Sequence, residues 1–134
     1  MIKVVATVER CPNGTYDVSF YDKRTKFSLR GNGVTAQEAI ADFYRMNEVM
    51  KSHYAETGEE FPIVEYEFKY DVPSFLQGFA YAFTLAGLER ITGVNQRQLS
   101  HYISGSKKPS EQTVRKIETH IHSFGKEISA VSFV

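Results

Sequence analysis

The hydrophobic period of this chain changes once, at Asp71-Val72-Pro73-Ser74. Before that point apolar residues alternate one for one in several short runs, interrupted by a single helical stretch; after it they recur at steps of three and four. Two small units follow from the change, residues 1–70 and 71–134, and the fold class is α+β. At 134 residues the chain is too short for a large α/β barrel. Its 42% hydrophobic and 24% charged residues exclude a disordered or collagenous chain.

In the first unit, Val4, Ala6 and Val8, then Tyr16, Val18 and Phe20, then Phe27 and Leu29 predict three antiparallel strands in a meander. Pro12-Asn13-Gly14 and Asp22-Lys23-Arg24 supply the turns, Gly14 taking the positive φ that a tight hairpin requires. Gly31-Asn32-Gly33 is expected to end the third strand. Thr35-Ala36-Gln37-Glu38 then reads as a capping box that opens a helix. Its inward stripe is Ala36, Ala39, Ile40, Phe43, Met46, Val49 and Met50, and Thr57-Gly58-Glu59-Glu60 ends it. Ile63 to Tyr70 alternates again as a fourth strand, giving the order βββαβ. The spacing of Phe20, Phe27, Phe43 and Phe68 assigns most of the aromatic content to a core, which weakens a base-stacking role for the sheet.

In the second unit, Ser74-Phe75-Leu76-Gln77 reads as another capping box, with Leu76, Phe79, Ala80 and Phe83 on one stripe. Leu85 to Thr92 is a short helix stopped by Gly93, and Asn95 caps a second from Gln96 to Ser104. Gly105 and Pro109 bracket a loop. Ser110 caps a last helix with Val114, Ile117 and Ile121 inward, Gly125 is its expected terminator, and Ile128 to Val134 is open between helix and strand.

Charge follows the same division. The formal net charge is zero, yet residues 1–70 hold nine basic and eleven acidic side chains, and residues 71–134 seven and five. Between Thr84 and Ile117, six cations (Arg90, Arg97, Lys107, Lys108, Arg115, Lys116) face only Glu89 and Glu111, a local field that attracts polyanions. The lone Cys11 excludes an intramolecular disulfide and a Cys-based zinc cluster, and is read as a packing residue. The amino terminus meets charge before any long apolar run, and no later window approaches a bilayer span. The expected compartment is the cytoplasm, with no membrane partner.

Leu85 to Ser104 has the layout of a helix-turn-helix: a helix of about eight residues, a tight turn at Gly93, then a helix of similar length. Leu88, Val94, Leu99 and Tyr102 are spaced to bury one small core, which leaves Gln96, Arg97, Gln98, Ser100 and His101 outside. Gln can pair bidentately with adenine and Arg with guanine, and residues at the start of such a helix, Asn95 onward, reach furthest into the major groove. Lys107 and Lys108 in the following loop suit phosphate contacts, beside the helix amino terminus capped by Ser110.

The run Gly93-Val94-Asn95-Gln96-Arg97-Gln98-Leu99-Ser100-His101-Tyr102-Ile103-Ser104-Gly105-Ser106-Lys107-Lys108-Pro109-Ser110 resembles the phage-repressor (Cro-like, XRE) helix-turn-helix family, over roughly the 50 residues from Ser74 to Phe124. Glu89, Thr92 and Leu85 depart from the pattern, where a small residue, an apolar residue and Gln are usual. The first unit resembles HicB antitoxins, through Tyr16-Asp17-Val18-Ser19-Phe20, Gly31-Asn32-Gly33-Val34-Thr35 and Thr35-Ala36-Gln37-Glu38-Ala39-Ile40. That resemblance implies a reduced RNase H-like domain that neutralises a small basic RNA-cleaving toxin of the HicA type. The helix-turn-helix would repress the operon encoding both, binding its operator as a homodimer or higher homo-oligomer. A stand-alone repressor, whose first unit dimerises or senses a ligand, is the alternative.

Catalysis is not expected. An RNase H site needs carboxylates converging on divalent metal, whereas the first strand has no interior Asp, and Asp17, Asp22 and Asp42 are spaced as turn and surface residues. His120 and His122, two apart on a helix, point to different faces. Neither a metal nor another cofactor is expected.

Overall fold

The computed structural model describes residues 1–134. Alternation in the first unit becomes four strands, β1 (Ile2–Arg10), β2 (Tyr16–Ser19), β3 (Arg30–Gly33) and β4 (Val64–Tyr70), with helix α1 (Ala36–Thr57) between the last two. They form one sheet in the order β3-β2-β1-β4. β1 pairs antiparallel with β2 and β2 with β3, whereas β1 and β4 run parallel, Val4 beside Tyr66 and Ala6 beside Phe68. A parallel pair needs a long crossover, which α1 provides. With five helices and four strands the fold is α+β.

One face of the sheet is the core: Val4, Ala6, Val8 and Val18, covered by Phe20, Leu29, Ala39 and Phe43. Phe43 meets the rings of Tyr66 at 4.8 Å and Phe68 at 5.5 Å edge-on, the arrangement that aligns ring quadrupoles. The Tyr66 hydroxyl donates to Asn47 Oδ1 at 2.7 Å, and burial pushes its pKa up to about 12. Lys3, Val5, Thr7, Glu9, Asp17 and Ser19 lie on the opposite, mostly polar face. Within the α1 stripe Ala39 and Phe43 are buried, but Val49 is 51% exposed and lies outside it.

The third strand departs from expectation. Phe27 and Leu29 belong to an irregular segment, and the strand is the glycine run itself, Arg30–Gly33. The periodicity at Phe27 and Leu29 reflects packing rather than pairing: Phe27 stacks on Phe61 at 5.1 Å, and Leu29 enters the core. Gly31 and Gly33 continue the strand because α1 lies directly on it. A Cβ on Gly31 would meet Phe43 N at 2.3 Å, and one on Gly33 would meet Ala39 N at 2.7 Å. The strand is also tied to the helix by side chains. Asn32 N–H donates to Asp42 Oδ2 and Val34 N–H to Glu38 Oε2, both at 3.0 Å, while Thr35 Oγ1 caps α1 by accepting from Glu38 N. The Asn32 amide and the Arg45 guanidinium hold the Asp42 carboxyl below its ordinary pKa.

Contacts group the chain into Met1–Ser74 and Phe75–Val134. The helices after β4 are α2 (Val72–Gly78), α3 (Leu85–Thr92), α4 (Gln96–Ser104) and α5 (Glu111–Ser129). Ser74 does not cap α2. Asp71 Oδ1 accepts from Ser74 N at 2.8 Å, while the buried Ser74 hydroxyl accepts from Arg10 N at 2.8 Å. The helix therefore starts earlier and ends at Gly78, placing Phe79, Ala80 and Phe83 in the connection that follows. Gly125 does not end α5, which runs to Ser129 and leaves only the last residues of the tail irregular. A single interior glycine costs a helix about 1 kcal/mol. Phe124, packed on Phe83 at 6.0 Å, holds the adjacent turn in place. Of the expected inward stripe only Ile117 is buried; Ile121 is intermediate and Val114 is 37% exposed. No helix is long and apolar enough to cross a membrane.

Candidate nucleic-acid interface

Local signals set the geometry of α3 and α4. Thr84 Oγ1 accepts from Gly87 N at 3.0 Å and opens α3; Gly93, at φ 74°, closes it with its N–H on the Glu89 carbonyl. Asn95 Oδ1 accepts from Gln98 N at 2.9 Å and opens α4, which Gly105 closes at φ 79°. A left-handed residue after each helix frees the chain to reverse direction without a Cβ penalty. Leu88, Val94, Leu99 and Tyr102 are all buried, joining the two helices.

Three residues that the spacing left unassigned clamp the turn. Thr92, fully buried where an apolar residue was expected, donates its hydroxyl to the Leu88 carbonyl at 2.7 Å and accepts from Val94 N at 3.2 Å. Its polarity is thereby satisfied, and it supplies the partner that a buried turn amide needs. Glu89 Oε1 accepts from Gln96 N at 3.2 Å, meeting an orphan donor in the first turn of α4. Lys116, on α5, places Nζ 3.3 Å from the Gly93 carbonyl. The Thr92 bond follows a common backward pattern and was readable from sequence in principle; the Glu89 and Lys116 contacts depend on how the helices cross.

The clamped pair leaves Gln96, Arg97, Gln98 and Ser100 exposed along α4. Asn95 is exposed as well, although its carbonyl oxygen is occupied by the cap. His101 differs from expectation: it is only partly exposed, and its Nδ1 lies 2.9 Å from Ser106 Oγ. Ser106 in turn lies 3.1 Å from Ser104 Oγ, so these side chains brace the loop carrying the exposed Lys107 and Lys108. Ser110 Oγ accepts from Thr113 N at 3.2 Å to open α5 immediately after that loop.

The electrostatics favour an anion. All four ion pairs of the chain join residues of the first unit, among them Arg30 with Asp17, Arg24 with Asp22 and Arg45 with Asp42. Arg97, Lys107 and Lys108 are therefore exposed cations without a carboxylate partner, on one short helix and the loop after it. Of the two other imidazoles, His120 donates Nδ1–H to the Lys116 carbonyl at 2.7 Å, and His122 is exposed on the same helix. No protein-family model, curated protein or solved structure matches the chain.

Proposed function

We propose that residues 85–110 bind double-stranded DNA as a helix-turn-helix, with α4 in the major groove. The observation that carries this reading is the exposure of Gln96, Arg97, Gln98 and Ser100 at the start of a helix whose turn is clamped, next to the uncommitted Lys107 and Lys108. A rigid helix pair supplies the positioning that base readout requires, and free lysines in the next loop supply phosphate contacts. Glu89, spent on the α4 amide, takes no part in backbone contacts.

The first unit is assigned the partner-binding role of a HicB-type antitoxin, with the reduced RNase H-like fold of that family. Its βββαβ order supports the assignment. The whole chain then neutralises a small basic RNA-cleaving toxin and represses the shared operon as a homodimer or larger assembly. Recognition carries this function, with no chemical step.

Gel shifts with the DNA upstream of the gene test the DNA site. Arg97→Ala should cost roughly 1–3 kcal/mol and relax preference at one base position, whereas Lys107→Ala should weaken all sequences alike and flatten the salt dependence. Unchanged affinity in both variants would remove the assignment. For the first unit, co-expression with a short basic reading frame beside the gene should rescue growth and yield a co-purifying complex. Rescue without a physical complex would leave the stand-alone repressor as the better description.

A further inference from the structure

The sheet ends on one side with β4, which is hydrogen-bonded only to β1. Its outer row of amides and carbonyls is therefore unpaired over Val64–Tyr70, a segment with neither proline nor glycine. Such an edge invites another strand unless it is blunted. Side chains beside it are apolar on the helix side: Tyr44 is 46% and Tyr70 39% exposed, and the Tyr44 ring lies 5.6 Å from that of Phe68. On the other side stand Glu65, Glu67 and Lys69, the only charges of the strand.

We propose that β4 is an interface between two copies of this chain, paired antiparallel about a two-fold axis at Phe68. This inference does not rest on the DNA-binding reading. A two-fold axis perpendicular to the sheet keeps both α1 helices on the same side and makes residues of equal parity face each other. In the register centred on Phe68, Glu67 faces Lys69 of the second copy twice, Tyr66 faces Tyr70 twice, and the two Phe68 rings meet. Glu65 then lies opposite Asp71, past the end of the strand, whose carboxylate is turned back to accept from Ser74 N. Centring on Glu67 sets its carboxylate against its own copy, and centring on Tyr66 sets Glu65 against Glu67. Only the Phe68 register brings the charges within the strand together without a like pair. This self-complementarity selects a second copy over a strand from a different protein.

Sedimentation velocity on the full chain tests the proposal. The Glu67 and Lys69 side chains are 68% and 55% exposed, so reversing either leaves the monomer folded. Glu67→Lys places lysines opposite lysines and Lys69→Glu places glutamates opposite glutamates, each weakening self-association about tenfold or more. Mixing the two variants restores opposite charges at both sites, so the 1:1 mixture should regain the wild-type mass that neither variant reaches alone. In the Glu67-centred register the mixture would instead set Glu65 against the carboxylate that Lys69→Glu introduces. A mixture that stays small, a Glu67→Lys variant that keeps the wild-type mass, or a wild-type chain that remains single at high micromolar concentration while a foreign strand takes the edge would each overturn the proposal.

Discussion

Gly31→Ala is expected to unfold the first unit or come close to it, with a loss of about 3 kcal/mol or more. The added Cβ would lie 2.3 Å from Phe43 N, 2.5 Å from the Ala39 carbonyl oxygen and 2.7 Å from Phe43 Cα, all backbone atoms of α1. A flexible side chain can swing aside, but a helix backbone moves only as a body. Lifting α1 would pull Phe43 from its contacts with Phe20, Tyr66 and Phe68, the centre of the core. Against a typical total of about 5–15 kcal/mol, the loss is a large part of the fold's stability. Urea unfolding followed by far-ultraviolet circular dichroism should show the midpoint falling steeply with little change in slope. A midpoint within error of wild type would mean that β3 and α1 are not in contact as described.

Leu99→Ala should have a comparable effect on the second unit. Leu99 is completely buried and sits with Leu88, Val94 and Tyr102 where α3 and α4 cross. Removing its three terminal carbons loses their transfer energy and leaves a cavity, together about 2–5 kcal/mol. Loss of operator binding should accompany loss of helical structure, whereas Arg97→Ala should weaken binding with the melting curve unchanged. That contrast is the check: a Leu99→Ala protein that binds DNA normally would mean that the helix pair is not held by this core.

Where a structural signal was contained within a few residues, the sequence was sufficient to read it. Gly93, Asn95, Gly105 and Ser110 bound the end of α3, both ends of α4 and the start of α5, and each acts on backbone no more than four residues away; Thr84 acts as locally at the start of α3, although it was not read there. The exposure expected along α4 followed from the same bounds, except at His101, whose bond to Ser106 depends on the path of the loop. Signals that depend on distant partners misled. Gly31 and Gly33 look like a terminator until α1 is laid on them, and Ser74 looks like a cap until Arg10 claims its hydroxyl. Gly125 looks like a stop, but the helix around it continues. Glu89 and Lys116 show no local pattern at all, since they reach backbone seven and 23 residues away in sequence.

The bonds from α1 to β3 make the two borders of the sheet unlike. On the β3 side, Asp42 takes up the Asn32 amide and Glu38 takes up the Val34 amide just beyond it. Two donors that would otherwise recruit a neighbour are thus already taken, and the close fit of the glycines holds the strand in that register. On the β4 side nothing comparable occurs. Pairing through β4 uses that border up when two copies join, and the joined sheet then ends in two β3 strands, each partly capped by its own α1. Assembly through β4 alone is finite: each copy contributes one such border, joining consumes both, and growth by that route stops at a pair.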